Sequence, residues 1–406
     1  MTQFNLTVNG EKLKDLLVKD NGLRDLLEDV VNQVLEAQMS EYIGAKPYER
    51  TNERKAYRNG YRIRQLYTRV GPLSLQVPQT RDGGFSTAIF KRYQRSEQAF
   101  VLGLMEMVLN GVSTRKVTKV TEELCGVSFS RSTVSNLCKN LDRRVEAWNN
   151  RSLKDTKYPF IIVDAMMTRA RKDGAGRFVH ALIALGINKE GHREILGLTL
   201  GDSESEHSWS KMFSWLRKRG ITGVDYVISD QHSGLTNAVR KHFQGAIWQR
   251  CQVHLRRNVF SDASYCLRPQ LAAGMKRIFK ADTREEGWEQ YEKLVTDMAG
   301  KGSKALKTLE RGLEDSLAIL ALPEKYRVRL RTTNMLERLH SELRRRERVI
   351  RIFPNEASVV RMIGALLAEQ HEVWSTGRRY LDMTEYNDWK AEQQQENKNV
   401  VKLNVS

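Results

Sequence analysis

Three acids stand where chemistry on phosphate could be done. Asp164 closes the apolar run YPFIIVDA, and Asp230 closes a second one, VDYVISD. Glu337 lies inside RTTNMLERLHSELRRRERV, residues 331–349, which holds six arginines and three glutamates. Carboxylate oxygens suit divalent magnesium, which keeps its remaining positions for water and substrate phosphate. Two such ions can activate an attacking hydroxyl and stabilise the departing oxygen of an in-line displacement at phosphorus. The cations also resolve a conflict, because uncompensated acids would repel one another and a polyanionic substrate.

Each acid has a plainer alternative. An aspartate at a strand end often caps the following turn or helix, and Asn334-x-x-Glu337 has the spacing of a capping box. Glu204 and Glu206 in GDSESEHSW compete for a place near the metals, although the helix dipole also favours an acid at a helix start. Wound at about 100° per residue, the basic stretch places Asn334, Glu337, Ser341, Arg344 and Arg348 on one stripe, with Leu336, Leu339, Leu343 and Ile350 roughly opposite. Glu342 falls about 140° from Glu337 and is expected to point toward the packed side, so Glu337 is the preferred third acid. Arg344 and Arg348 would then clamp phosphates of the strand that Glu337 serves, with Arg338 and Arg345 of the same helix also at DNA. Cys251 and His254 form a Cys-x-x-His pair, half of a tetrahedral zinc site with no second pair at suitable spacing. Packing or active-site hydrogen bonding is the preferred role for them.

These side chains need elements to hold them. YPFIIVDA, FVHALIALGI and REILGLTLG read as strands, the last two joined by the turn NKEGH. SWSKMFSWLRKRG brings Trp209, Met212, Phe213 and Leu216 to one helical face. The apolar run ending at Asp230 is a fourth strand, followed by a helix (235–243) and a short strand (246–248). Strand, strand, strand, helix, strand, helix, strand, completed by the helix at 331–349, is the element order of the ribonuclease H-like fold. There the first and fourth strands are parallel neighbours, which would place Asp164 beside Asp230. Between Trp248 and Arg331 the pattern is helical, with GWEQYEKLV and KALKTLERGLEDSLAIL its clearest pieces, and reads as an all-α insertion. A helix at 356–372 packs on the sheet, and the glutamine- and asparagine-rich end is expected to be disordered.

The segments before the core look built for nucleic acid. Residues 12–39 carry an amphipathic helical pattern that suits core packing or a dimer contact. From Pro47 to Ser96, eleven lysines or arginines face three acids, interleaved with Tyr48, Tyr57, Tyr61, Tyr67 and Tyr93. Alternation of Leu73, Leu75 and Val77 around Gly71-Pro72 marks this as a small β module, with Arg58, Arg62 and Arg64 as candidate phosphate contacts. Residues 112–146 read as helix, turn, helix, broken at Gly126 and capped at Ser130, with Ser132, Ser135 and Lys139 projecting from the second helix. A net charge of +18 over 406 residues attracts polyanions. No signal peptide or membrane-length apolar run is present, which leads us to expect a cytoplasmic, nucleoid-associated protein with no membrane partner. Four cysteines without paired spacing are expected to be reduced thiols.

The run GDSESEHSWSKMFSWLRKRGITGVDYVISDQHSGLTNAVRKHF, then WQRCQVHLRRNV, RTTNMLERLHSELRRR and FPNEASVVRMIGALL, resembles the Mutator-type family of bacterial insertion-sequence transposases, from about Tyr48 to Tyr380. The resemblance implies a DDE transposase with a ribonuclease H-like core and an all-α insertion between its second and third acids. By motif position it implies Asp164, Asp230 and Glu337 as catalytic and metal-binding triad, with two Mg²⁺ for which Mn²⁺ can substitute. Cys251 and His254 match the family's Cys-x-x-His pair, and Arg344 its basic residue seven places after the glutamate. One departure stands out: the family usually carries asparagine three places after that glutamate, and here the residue is His340.

The expected organisation is α/β: N-terminal helices with possible dimerisation (1–46), a basic β-rich module (47–98), a helix-turn-helix-like domain (99–150), a ribonuclease H-like core in two parts (151–258 and 331–390) around the α-helical insertion (259–330), and a disordered tail (391–406). The expected partners are terminal inverted repeats, target DNA and a second copy in a homodimer. A ribonuclease H-like nuclease or junction resolvase without strand transfer would share the acids, and a helix-turn-helix regulator would need none of them.

Overall fold

The computed structural model describes residues 6–8, 10–19, 21–52, 54–89, 96–126 and 128–403, so Tyr93 lies outside the described residues. It divides into two compact units, Met1–Asn140 and Leu141–Ser406.

The first unit opens with helices α1 (Gly10–Val18) and α2 (Gly22–Ile43). Strands β1 (Arg58–Thr68) and β2 (Gly71–Thr80) follow as an antiparallel hairpin. Alternate residues of a strand share a face, and the face carrying Leu66, Leu73 and Leu75 is buried against Leu35 of α2. Helix α2 and the basic module therefore share one core. Helices α3 (Gln98–Leu109), α4 (Thr114–Cys125) and α5 (Arg131–Cys138) gather around Phe100, Leu104, Val117, Phe129 and Val134. Gly126 ends α4 in the left-handed region at φ 60°, which glycine adopts without strain. The Ser130 hydroxyl accepts from the Thr133 amide at 3.0 Å to start α5.

The second unit is built on a five-stranded sheet. After α6 (Asn140–Asn149) come β3 (Phe160–Lys172), β4 (Ala175–Ile187) and β5 (Arg193–Gly201), each antiparallel to the one before. Helix α7 (Glu206–Lys218) leads to β6 (Tyr226–Ser229), and α8 (Ser233–His242) leads to β7 (Ile247–Arg250). The strand order is β5-β4-β3-β6-β7, with β6 parallel to β3 and β7 parallel to β6. Trp209, Met212, Phe213 and Leu216 of α7 are buried with Leu235, Ala238 and Val239 of α8 against Ile161, Val163 and Val227. Burying each large apolar side chain contributes about 1.5–3 kcal/mol, so this layer anchors the sheet. The period of two then sends Phe160, Ile162 and Asp164 to the other face, where Phe160 packs on Tyr226, Tyr326 and Tyr386.

From the end of β7 the chain is helical: α9 (Gln252–Ser261), α10 (Arg268–Ile278), α11 (Arg284–Met298), α12 (Ser303–Leu317) and α13 (Glu324–Leu330). The buried Gln249 fastens this insertion to the sheet, donating to the Ser316 carbonyl at 2.9 Å and accepting from the Ile319 amide at 2.7 Å. Trp288, half-buried in α11, donates to Glu314 at 3.0 Å. Helices α14 (Asn334–Ile350) and α15 (Glu356–Thr376) return across the sheet, and Arg361 forks onto Asp142 of α6 at 2.6 and 2.8 Å.

Helix α16 (Thr384–Leu403) departs from the expected disordered tail, running helical up to the last three residues, which lie outside the described set. Its Glu, Gln and Lys are good helix formers, and its first turns are anchored by buried Tyr386, which donates to Asp225 at 2.6 Å, and by the Lys390 to Asp225 ion pair. No described helix is long and apolar enough to cross a membrane.

Candidate active site

Asp164 and Asp230 owe their neighbourhood to strand register. Ile162 pairs with Ile228 as the last rung of the parallel β3–β6 ladder; two residues on, Asp164 lies inside β3 and Asp230 one residue past the end of β6. Both share the face of Phe160 and Tyr226, away from α7 and α8. The Asp164 carboxylate accepts from the Ala165 amide at 2.8 Å, and Asp230 from the Gln231 amide at 2.6 Å. Burial pushes the Asp164 carboxyl up to about 6; the Ala165 amide and His254 act against this, while Glu204 and Asp230 add to it. Negative charge is thus crowded here.

Helix α14 brings the third acid across this face. Its leucine stripe, Leu336, Leu339 and Leu343, is buried. Glu337 is therefore turned to α9, where its carboxylate accepts from Arg257 Nη1 at 2.6 Å and Nη2 at 3.3 Å and lies 3.3 Å from His254 Nε2. Thr333 occupies the N-cap position and no side chain caps the helix, so the capping-box role for Asn334 and Glu337 is not realised. Glu342 does not face the packed side: it is exposed, paired with Arg345 at 2.8 Å and Arg346 at 3.7 Å. Glu342 does point well away from Glu337 around the helix, but the leucine stripe lies between the two glutamates' directions.

Cys251 and His254 hold the start of α14 to the end of β7. The buried Cys251 sulfur accepts from the Thr333 amide at 3.4 Å and from its hydroxyl at 3.5 Å. Burial works against the Cys251 thiolate, but hydrogen bonds from His254 and Thr333 hold the thiol below its ordinary value. Burial likewise opposes charge on His254, yet Cys251, Asp230 and Asp164 together raise it to about 9. A protonated His254 is therefore favoured by the charge of both aspartates while it pairs with Glu337.

His340, one turn after Glu337, puts Nδ1 3.4 Å from Asp164 Oδ2. Burial, then the charge of Arg344, push it down to about 4, against a smaller pull from Glu337. A neutral imidazole makes this a dipolar contact and not an ion pair. Its Nε2 is buried with no partner among the described residues.

As the side chains stand, no three His, Cys, Asp or Glu residues among those described are grouped closely enough to hold a metal ion. The reason is local: Glu337 is engaged by Arg257 and His254, which supply positive charge. The donor set still fits a hard divalent cation, since it offers carboxylate oxygens, and Asp164, pushed up mainly by burial and further by Glu204 and Asp230, would gain from a nearby positive charge. Cys251 and His254 face Thr333 and Glu337, with no second pair to complete a zinc site.

The remaining candidates are placed unevenly. Arg338, Arg344 and Arg348 are exposed on α14, and Arg345 is tied to Glu342. In the first unit Arg62 is exposed and Arg64 half-buried. Arg58 is held by Glu36 at 2.8 Å and Ser40 at 2.9 Å, a pin between β1 and α2 and not an open phosphate contact. Ser132, Ser135 and Lys139 are exposed on and just after α5, with Ser132 hydrogen-bonded to Ser130 at 2.7 Å. Glu204 lies 3.3 Å from His180 Nδ1, and Glu206 accepts from Asn237 at 3.0 Å. Sequence reasoning missed Arg257 and Thr333. Arg257 stands three residues after His254 in QVHLRR, on the same helical face, and that spacing could have found it.

The model of a family described as Transposase, Mutator family matches residues 1–377. The transposase for insertion sequence element IS256 in transposon Tn4001 of Staphylococcus aureus is 42% identical over 388 residues, covering 94% of this chain and 99% of that protein. The transposase for insertion sequence element ISRM5 of Rhizobium meliloti is 39% identical over 96% of this chain and 98% of its own length. That for IS1081 of Mycobacterium tuberculosis is 35% identical over 94% and 93%.

Proposed function

Since this chain belongs to the Mutator family of transposases and so acts in DNA transposition, we propose that it cuts and joins DNA at a site formed by Asp164, Asp230 and Glu337. The reading rests on one observation: α14 carries both Glu337, paired with His254 at 3.3 Å, and one turn later His340, which lies 3.4 Å from Asp164 on β3. The strand order β5-β4-β3-β6-β7, with Asp164 on β3 and Asp230 just past the end of its parallel neighbour β6, supports a ribonuclease H-like core interrupted by the α9–α13 insertion.

Two Mg²⁺, or Mn²⁺ in their place, would supply activation of the attacking oxygen and stabilisation of the leaving oxygen. Asp164, Asp230 and Glu337 would hold them. His254 and Arg257 neutralise Glu337 until then, which prevents carboxylate repulsion from opening the site. His340 orients Asp164, and Arg344 and Arg348 clamp the phosphates of the reacting strand. Water first cuts the phosphodiester at the element's end; the freed 3′-hydroxyl then attacks a target phosphodiester, expelling a second 3′-hydroxyl.

Recognition of the terminal inverted repeats falls to the first unit, through Arg62 and Arg64 on the hairpin and Ser132, Ser135 and Lys139 of the helix-turn-helix. Two ends must be brought together, so a homodimer is the working form. The test is joining of a labelled, pre-cleaved terminal repeat to plasmid DNA with Mg²⁺, using D164N, D230N and E337Q. Each should lower joining by about 100-fold or more. Hydrolysis without joining in the parent would favour a nuclease, and parental joining by any of the three variants would remove that residue from the site.

A further inference from the structure

An open cleft of about 500 Å³ lies outside the carboxylate site, lined by Arg193, Arg329, Arg378, Arg379, Tyr380, Leu381 and Asp382. It is built from the start of β5, the end of α13 and the loop between α15 and α16. That loop is fastened in place: the Tyr380 and Leu381 amides donate to the Gly191 carbonyl at 2.8 and 3.2 Å. Gly191 sits at φ 88°, where a Cβ would come within 1.8 Å of the Leu381 carbonyl oxygen, so the close approach requires glycine.

Four guanidiniums share this cleft with a single lining acid. Asp382 accepts from the Thr384 amide and hydroxyl at 3.1 and 2.9 Å and faces Lys325 at 3.7 Å, so it is committed elsewhere. None of the four arginines is ion-paired among the described residues. Arg193 lies over the rings of Trp374 and Tyr380 at 4.5 and 4.7 Å, and Arg329 over Tyr380 at 4.8 Å. Ring stacking positions a guanidinium without consuming its N–H donors, and Arg329 spends only an Nη1 donor, on the Tyr380 carbonyl. Arg193 Nε is buried with no partner, and burial, then the Arg329 charge, lower its pKa against a pull from Tyr380. Four like charges gathered in one cleft, two of them held on aromatic rings, are unfavourable until an anion arrives.

The cleft borders the helix that carries the third acid. Arg193 Nη1 reaches Met335 Sδ at 4.0 Å, two residues before Glu337, and the charge of Arg338 bears on Tyr380. We propose that this arginine cleft binds DNA backbone phosphates, gripping the strand at a distance from the bond that reacts. The planar fork of arginine matches phosphate oxygens in pairs. The proposal rests on the reading of Glu337 as part of a DNA-processing site, but it concerns a separate contact.

The test is equilibrium binding of a fluorescent terminal-repeat duplex to the full chain, without divalent ions, at a series of salt concentrations. The background is D164N, so the readout is independent of catalysis. R378A/R379A alters two exposed side chains and should leave folding intact; R193K keeps the charge but loses the fork. Each lost phosphate contact lowers the slope of log affinity against log salt by about 0.9. The double variant should therefore lose about 1.8 in slope, and R193K should weaken binding about tenfold with the slope nearly kept. The control is R277A/K304A, which removes two cations already paired with Asp297 and Asp262. A parental slope in R378A/R379A, or an equal loss in the control, would overturn the proposal. Titration with inorganic pyrophosphate separates the remaining source: binding abolished by R378A/R379A while duplex affinity stays parental would assign the cleft to a free polyphosphate and overturn the DNA assignment. Joining retained by D164N would instead refute the catalytic reading and leave this slope measurement standing.

Discussion

Gly312 in α12 faces Arg250, the last residue of β7, and the smallest possible substitution there should be costly. A Cβ at position 312 would lie 2.1 Å from Arg250 Nη1, 2.8 Å from its Cζ and 2.8 Å from Leu255 Cδ1. Ordinary contact begins near 3.4 Å, so the guanidinium would have to retreat by more than about 1 Å. Arg250 is 2% exposed and Leu255 is fully buried, which leaves little room for retreat. Overpacking of this kind costs about 1–3 kcal/mol, and replacing a helical glycine by alanine returns about 0.5–1 kcal/mol. G312A should therefore destabilise the second unit by about 1–2 kcal/mol. Gly103 in α3 has nothing within 4 Å of its would-be Cβ, so G103A should stabilise the first unit by about 0.5–1 kcal/mol. Urea unfolding followed by tryptophan fluorescence would measure the transition of the second unit, and circular dichroism both. Because Arg250 adjoins Cys251 and its charge is coupled to Asp230, G312A should also lower transposition in cells. A G312A protein as stable as the parent would refute the steric reasoning and the placement of α12 under β7.

Two further outcomes concern histidines. His371 in α15 is pushed down to about 4 by burial, then by Arg151, and its Nδ1 has no partner among the described residues. Its unfolded form takes up a proton below about 6.5 while the folded form does not until about 4, so stability is lost as pH falls through that window. Between pH 7.5 and 5 this ring should contribute about 2 kcal/mol to the loss, so the loss should be smaller by that amount in H371L, as read from urea midpoints at the two pH values; a pH dependence unchanged in H371L would show that this ring is not a titrating group. His340 contacts Asp164 through Nδ1, a place an asparagine amide can reach, so H340N should transpose within a few-fold of the parent and H340L at least about tenfold less in a marked-element assay. Equal rates for the two would mean that the polar contact does not position Asp164.

Local pattern fixed much of this protein before any coordinates. The apolar run before Asp230 became β6, the spacing of Trp209, Met212, Phe213 and Leu216 became the buried face of α7, and Gly126 and Ser130 closed and opened helices as their backbone preferences require, whereas the run before Asp164 is only the first part of β3, which continues to Lys172 and leaves Asp164 inside the strand. Such features depend on neighbours within a turn or a strand, which the order of residues contains. Contacts between distant segments could not be read that way. Arg257 takes Glu337 from 80 residues away, and Gly191 draws the 380–381 loop against a hairpin turn to complete the arginine cleft. The same distance separates the expected disorder of the C-terminal segment from the helix found, because Tyr386 and Lys390 gain Asp225 as a partner only once the sheet has formed. Residue order set the faces and the elements; packing of those elements chose which charges would meet.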